Sequence, residues 1–199
     1  PRYRDNLGGV GAYDQNRARQ LLDEAGWRAD SSGVRRRAGQ QLSLTMPILG
    51  DDATTTNLAR AMQAMLREIG VDMTITVRAS ADFSKVYIGR EFDLFSMSYS
   101  SSDPFGMAYL CQIWCANSQL NRSGAGTPEL DAQIRRVQQI ADPAEQIRVG
   151  NDVEAQAFRQ FSNLPLFNGP TMVAVKKRLA NYGAGMFYVG PVEDIGWEK

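Results

Sequence analysis

The chain of 199 residues balances 22 Lys plus Arg against 22 Asp plus Glu, so it carries no net field to hold nucleic acid or an anionic membrane surface. With 43% hydrophobic residues it can bury roughly 70% of its unfolded surface in a real core, and no apolar run reaches the ~18 residues of a membrane span. There is no histidine, which removes Ser/His and Cys/His catalytic pairs, and two cysteines alone are too few soft ligands for a structural zinc site.

Asp14 reads as the N-cap of a first helix, with Tyr13 placed as a hydrophobic staple. Ala18, Leu21, Leu22 and Ala25 form its apolar stripe, and Gly26 supplies the left-handed stop. Residues 27–44 read as an irregular segment and hairpin turned at Gly33 and Gly39. The basic run Arg35, Arg36, Arg37 inside it reads as a solvated edge that discourages pairing with other molecules. The strand fed by this hairpin is expected over residues 42–48. Thr54 to Thr56 read as the cap of a second helix with Leu58, Ala61, Met62, Met65, Leu66 and Ile69 on one face and Gly70 at its end; its methionines read as core filler. Val71, Met73, Ile75 and Val77 then alternate with Asp72, Thr74 and Thr76, the period of a half-exposed strand. A short helix over 82–88, ended by Gly89, follows.

Residues 92–99 read as a buried strand leading into Ser100, Ser101, Ser102 and Asp103, where Pro104 stops the ladder because it lacks an N–H. Cys111 and Cys115 stand either as a disulfide formed in an oxidising compartment or as two buried thiols; a redox motif would have C-x-x-C spacing. Thr127 with Pro128 opens a helix carrying Leu130, Ile134, Val137 and Ile140. Asp142, Pro143 and Glu145 read as the capping box of the next, which is expected to run to about residue 161 with Val149, Val153, Ala157 and Phe161 on one side. Residues 164–167 and 171–175 are expected to pair as strands around Asn168, Gly169 and Pro170.

Helices alternating with strands predict an α/β fold, a three-layer sandwich around a mixed, largely parallel sheet with right-handed crossovers. Ligands of such sheets sit outside the carboxyl ends of the strands, which directs residues 47–51 and 98–103 to the site. The carboxylate pairs Glu91/Asp93 and Asp51/Asp52 read as solvated surface groups rather than an acid and base. Gly8, Gly9 and Gly11 lack the preceding strand of a phosphate-binding turn.

Five blocks carry a likeness to a known family: YDQNRARQLLDEAGW (residues 13–27), LARAMQAMLREIGVDMTI (58–75), EFDLFSMSYSSSDP (91–104), TPELDAQI (127–134) and LPLFN (164–168). In this order and spacing the chain resembles the distal lobe of the family 5 extracellular solute-binding proteins, the dipeptide and oligopeptide binders of ABC importers. The segment around Cys111 and Cys115, with AVKKRLANYG (174–183), resembles the actinobacterial branch.

The resemblance implies one lobe of a type II periplasmic-binding-protein-like fold. Residues 1–199 would form a single ligand-binding lobe of a longer, two-lobed parent, and residues 1–12 and 189–199 the segments connecting to the other lobe, with residues 8–12 and 189–197 as crossing strands. It also implies a binding protein rather than an enzyme, with no cofactor, outside the cytoplasmic membrane, lipid-anchored in the parent, and served by ABC permease subunits. An alternative on the same fold is a lipoprotein that regulates cell-envelope glycolipid synthesis.

Peptide binders of the family place an Asp three residues before the Asp-Pro pair, to hold the ligand's α-amino group, and a Trp three residues earlier. Here those positions are Ser100 and Met97, and a neutral hydroxyl in place of the carboxylate gives up about 1–2 kcal/mol of recognition of an ammonium. The expected ligand-binding residues are therefore Met97, Ser98, Tyr99, Ser100, Ser101 and Asp103. Their hydroxyl row, extended by Ser96 and Ser102, suits a blocked peptide, a polyol or a glycoconjugate.

Overall fold

Asp14, extended at φ −144°, turns its carboxylate onto the N–H of Arg17 and so starts α1 (Gln15–Glu24). The computed structural model that shows this describes residues 4–99, 106–167, 172–183 and 191–198. It divides into two units, Ala12–Ser98 and a second built from Pro1–Gly11 with Tyr99–Lys199.

In the first unit α1 ends as expected, with Gly26 at φ +83°. Tyr13 is not a staple: it is 72% exposed, and its hydroxyl accepts a hydrogen bond from Gln15 Nε2. A ribbon of three short antiparallel strands follows, β1 (Arg28–Ala29), β2 (Arg35–Arg37) and β3 (Gln40–Gln41). The β2–β3 turn is Ala38-Gly39, both at positive φ, the two-residue loop whose twist suits a hairpin.

β2 corrects the reading of its arginines. Arg36 and Arg37 are exposed, but Arg35 is only 4% exposed. Its guanidinium donates to Ile69 O at 2.7 Å, Trp27 O at 2.6 Å and Asp23 Oδ1 at 2.8 Å. A buried charge is tolerated when its donors are all directed at acceptors, and here three segments supply them.

β4 (Ser43–Leu49) and β5 (Asp72–Arg78) pair in parallel from Ser43↔Asp72 to Leu49↔Arg78, and α2 (Ala53–Glu68) is the crossover between them. Met46, Ile48, Met73 and Ala59 are buried where the helix meets the sheet, with Leu44, Met62, Leu66 and Ile75 packed around them. The cap of α2 lies two residues earlier than the threonines suggest. Asp52 Oδ2 accepts from Thr55 N at 2.6 Å, which leaves the three threonines in the first turn. At the other end Gly70, φ +81°, lies so close to the ribbon that a Cβ there would stand 2.3 Å from Gly33 O. α3 (Phe83–Gly89) includes Gly89, and Arg90 at φ 55° takes the left-handed stop expected of that glycine.

Residues 92–99 were expected as a strand and form none. Asp93 N and Leu94 N both donate to Thr45 O, on the edge of β4 away from β5, but Thr45 N donates to Asp93 Oδ2 at 2.7 Å. A side-chain carboxylate thus takes the N–H that a continuing ladder would give to a backbone carbonyl.

The second unit carries three α-helices among its described residues, α4 (Met107–Trp114), α5 (Pro128–Gln138) and α6 (Pro143–Phe158). Leu110, Trp114, Cys115, Leu130, Ile134, Val137, Val153, Ala157 and Phe158 form its core, where the Trp114 and Phe158 rings meet edge to face at 5.3 Å. Cys111 and Cys115 are joined by a disulfide at the end of α4, their Cα atoms 4.6 Å apart. Thr127 caps α5 through Leu130 N, and Asp142 caps α6 through Glu145 N. Only that half of the capping box forms, because Arg148 engages both carboxylate oxygens of Glu145. The bond holds Glu145 below its ordinary pKa and raises that of Arg148.

α6 stops before Phe161, which stands at φ 54° and 79% exposed instead of extending the apolar stripe. Residues 164–167 and 172–175 are not strands, and Leu166, Phe167 and Met172 are exposed. These hydrophobic runs have no ladder among the described residues, and without partners a strand cannot form. Asn168 to Thr171 lie outside the described residues.

At the ends of the chain, Gly8–Gly11 is a 3-10 turn rather than a strand, preceded by Asp5 Oδ1 accepting from the N–H groups of Leu7 and Gly8. β6 (Leu179–Ala180) and β7 (Gly196–Trp197) pair antiparallel near the C-terminus.

Candidate functional site

The sequence directs attention to the end of residues 92–99, and the structure shows how this segment is held. Thr45 of β4 fixes its start through Asp93 and Leu94. Four rings then cluster, two from the segment itself and two from α3. Phe95 lies 5.0 Å from Phe92 and 5.4 Å from Tyr87, and Phe83 stacks on Tyr87 at 5.4 Å. Phe83 and Tyr87 are one helical turn apart on α3, so the i,i+4 spacing was the available signal for this cluster. Such rings hold a backbone through buried area and geometry.

Met97 is half-buried and Ser98 exposed, and these two residues close the first unit. Tyr99, exposed, opens the second, where its ring meets Tyr109 of α4 edge to face at 5.7 Å. Ser100, Ser101 and Asp103, with Ser102, lie outside the described residues. Of residues 47–51, Pro47 and Ile48 are buried in β4 and Asp51 is exposed at the turn into α2.

The acidic groups near the segment have structural partners. Glu91 pairs with Arg78 at 2.8 Å, Asp93 accepts from Thr45 N, and Asp52 caps α2. The Thr55 hydroxyl and N–H hold the Asp52 carboxyl below its usual range. Among the described residues no three His, Cys, Asp or Glu side chains come together to hold a metal ion. No helix of the described residues is long and apolar enough to cross a membrane. Of the expected ligand residues, the described ones offer a thioether at Met97, a hydroxyl at Ser98 and a phenol ring at Tyr99.

Comparison with known proteins bears on the family and the fold. The profile of the bacterial extracellular solute-binding proteins, family 5 Middle, matches residues 1–121. The oligopeptide-binding protein OppA of Mycobacterium tuberculosis is 32% identical over 183 residues, which cover 92% of this chain and 30% of that protein. This match agrees with the actinobacterial likeness. The nickel-binding periplasmic protein of Escherichia coli is 26% identical over 173 residues, 85% of this chain and 33% of its own length. Among solved structures, the oligopeptide binding protein from Thermus thermophilus, complexed with pentapeptide, superimposes with a TM-score of 0.71 at 19% identity, over 92% of this chain and 35% of that one. The chain therefore spans about a third of the length of the relatives it matches. Its fold is part of a lobe of the type II periplasmic binding proteins. By the matched profile and the fold together, this chain belongs to the family 5 bacterial extracellular solute-binding proteins.

Proposed function

We propose that this chain is part of the substrate-binding component of an ABC importer, one that captures an oligopeptide outside the cytoplasmic membrane and delivers it to permease subunits. The observation that carries this reading is the 32% identity to an oligopeptide-binding protein, sustained over 92% of the chain. A peptide is favoured over a nickel ion because the nickel-binding relative is more distant, at 26% identity, and the chain offers no imidazole as a ligand.

Met97, Ser98, Tyr99, Ser100, Ser101 and Asp103 are the proposed ligand contacts. An extended peptide exposes backbone N–H and C=O groups throughout, and neutral hydroxyls can satisfy either kind. With Ser100 where a carboxylate would hold an ammonium, recognition rests on the peptide backbone and side chains more than on the α-amino group. The chain supplies one side of the site, and closure of the rest of the parent over the bound solute completes it by hinge motion. A disulfide at Cys111–Cys115 suits an oxidising, extracytoplasmic location, and lipid anchoring of the parent would keep the receptor beside its permease.

Native mass spectrometry of the gently purified full-length protein tests this directly. Co-purifying peptides, lost when Ser98 and Tyr99 are both replaced by Ala, are the expected result. A bound solute of another class, or peptide binding unaffected by that double replacement, would sink the reading or its site respectively.

A further inference from the structure

Tyr99 is an expected ligand residue whose ring is held by another ring. Tyr109 of α4 meets it edge to face, with centroids 5.7 Å apart and planes inclined at 73°. In such a pair the electropositive edge of one ring rests on the electronegative face of the other, which fixes direction as well as distance. Tyr99 remains 41% exposed, so the contact leaves part of its ring open to a solute, while Tyr109 is half-buried. Residues 99 and 109 flank the stretch that holds Ser100, Ser101 and Asp103, so the same contact ties the two ends of that stretch together.

Tyr109 can hold another ring only because its own helix is held. Gly106, at φ 72°, starts α4, and its carbonyl accepts from Tyr109 N at 3.1 Å. Leu110 and Trp114, one turn apart, anchor the helix in the core at 4% and 3% exposure. On the α6 side Gly150 lets Met107 approach closely, since a Cβ there would stand 2.7 Å from Met107 Sδ. The disulfide from Cys111 to Cys115 ties the far end. A tyrosine ring exposed in a loop samples several rotamers, and ordering it on binding costs affinity; a ring already held by a fixed neighbour avoids that cost.

We propose that Tyr109 is a positioning residue of the solute site, one that acts through Tyr99 by fixing that ring in the orientation in which it meets the solute. The inference rests on the solute-binding reading above, in which Tyr99 is a ligand contact, and deepens it. The hold depends on the ring of Tyr109 and not on its hydroxyl, so phenylalanine serves in its place and an aliphatic side chain does not.

The test is peptide binding by the full-length protein and by its Tyr109→Phe, Tyr109→Leu and Tyr99→Leu variants, with Tyr99→Leu and Tyr109→Leu also combined. The probe is a tryptic digest of casein, its bound peptides quantified by mass spectrometry after equilibrium dialysis, and thermal melts verify folding. Tyr109→Phe should bind as wild type does, and Tyr109→Leu about three- to tenfold more weakly, the range an aromatic pair contributes. In the Tyr99→Leu background, Tyr109→Leu should weaken binding no further, because the ring it acts through is gone. A loss of equal size in both backgrounds would mean that Tyr109 serves only the packing of α4, and overturns the assignment. So does a Tyr109→Leu variant that binds as wild type does, or a Tyr109→Phe variant as weak as Tyr109→Leu, which would place the hydroxyl itself on the solute. Should Tyr109→Leu fail to fold, Tyr109→Met supplies the same comparison. A wild type that binds no peptide of the digest sinks the oligopeptide reading and this inference together, whereas the other failures sink the inference alone.

Discussion

Arg35 Nη1 reaches Asp23 Oδ1 at 2.8 Å, and through that contact the buried middle of the hairpin ribbon holds the end of α1. The two sides of the pair are unequal: the arginine side chain is 4% exposed and the aspartate 41%. The same guanidinium takes Trp27 O just after α1 and Ile69 O just after α2, so one side chain closes two helix ends. Replacing Arg35 by Met should therefore destabilise the protein by about 2–3 kcal/mol, since two sheltered carbonyls lose their donor. Asp23→Asn, whose site water can reach, should cost about 1 kcal/mol or less. Urea unfolding of both variants checks the order, and an equal loss in the two would show that the ion pair, not the carbonyl contacts, dominates.

Asp30 organises the β1–β2 turn. Its Oδ1 accepts from Ser32 Oγ, Ser32 N and Val34 N, and its Oδ2 from Arg36 Nε. These bonds, the Ser32 hydroxyl first, bring its pKa down from 3.8 to about 2. Because the folded value lies below the unfolded one, the stabilisation is fully present above the unfolded pKa and is lost as pH falls from about 4 toward 2. Carboxyl-carbon NMR titration should find Asp30 titrating near pH 2. Asp30→Asn should lower stability near neutral pH, where the stabilisation is fully present, and flatten the acid limb because there is then nothing left to lose on acidification.

The disulfide closes a five-residue segment, and the chain-entropy relation gives about 2 kcal/mol for so short a loop. Cys111→Ala with Cys115→Ala should lower stability by that order. Hydrogen exchange should quicken first at Ser118 and Asn121, whose N–H groups depend on the turn that begins at Cys115. Thiol labelling of the unreduced, denatured protein should find no free cysteine.

Gly126 is strained for any other residue. At φ +108°, an added Cβ would lie 2.6 Å from Trp114 O and 2.7 Å from Ala116 N, backbone atoms that cannot swing aside. Gly126→Ala should cost about 2 kcal/mol or more. It should also weaken the bond from Gly126 N to Gln160 Oε1, so a matched Gln160→Ala variant should lose less than additively in combination with it.

Local chemistry made several elements readable from residue order alone. Asp14, Thr127 and Asp142 cap helices because a cap depends on the next three residues only. The β4–α2–β5 unit was legible from the switch of apolar period from two to helical and back. The candidate ligand segment was legible as a position at the end of residues 92–99. Its anchoring was not, because Asp93 and Thr45 are far apart in the chain and a carboxylate replaces a ladder bond there.

The amino-acid sequence by itself determined α1, α2, α3, α5 and α6, though not α4, together with the parallel βαβ unit and the family, since each is written in short-range periodicity or in ordered blocks. Tertiary structure decided which charges are used and which are spare. Arg35 looked like a solvated edge because its three acceptors, Asp23, Trp27 and Ile69, converge only after the ribbon folds against two helix ends. Arg122 carries the opposite lesson: folding brings its Nε out of water and brings no described acceptor to it. Burial and pairing are properties of residues distant in sequence, and the desolvation of a charge depends on where those residues end up.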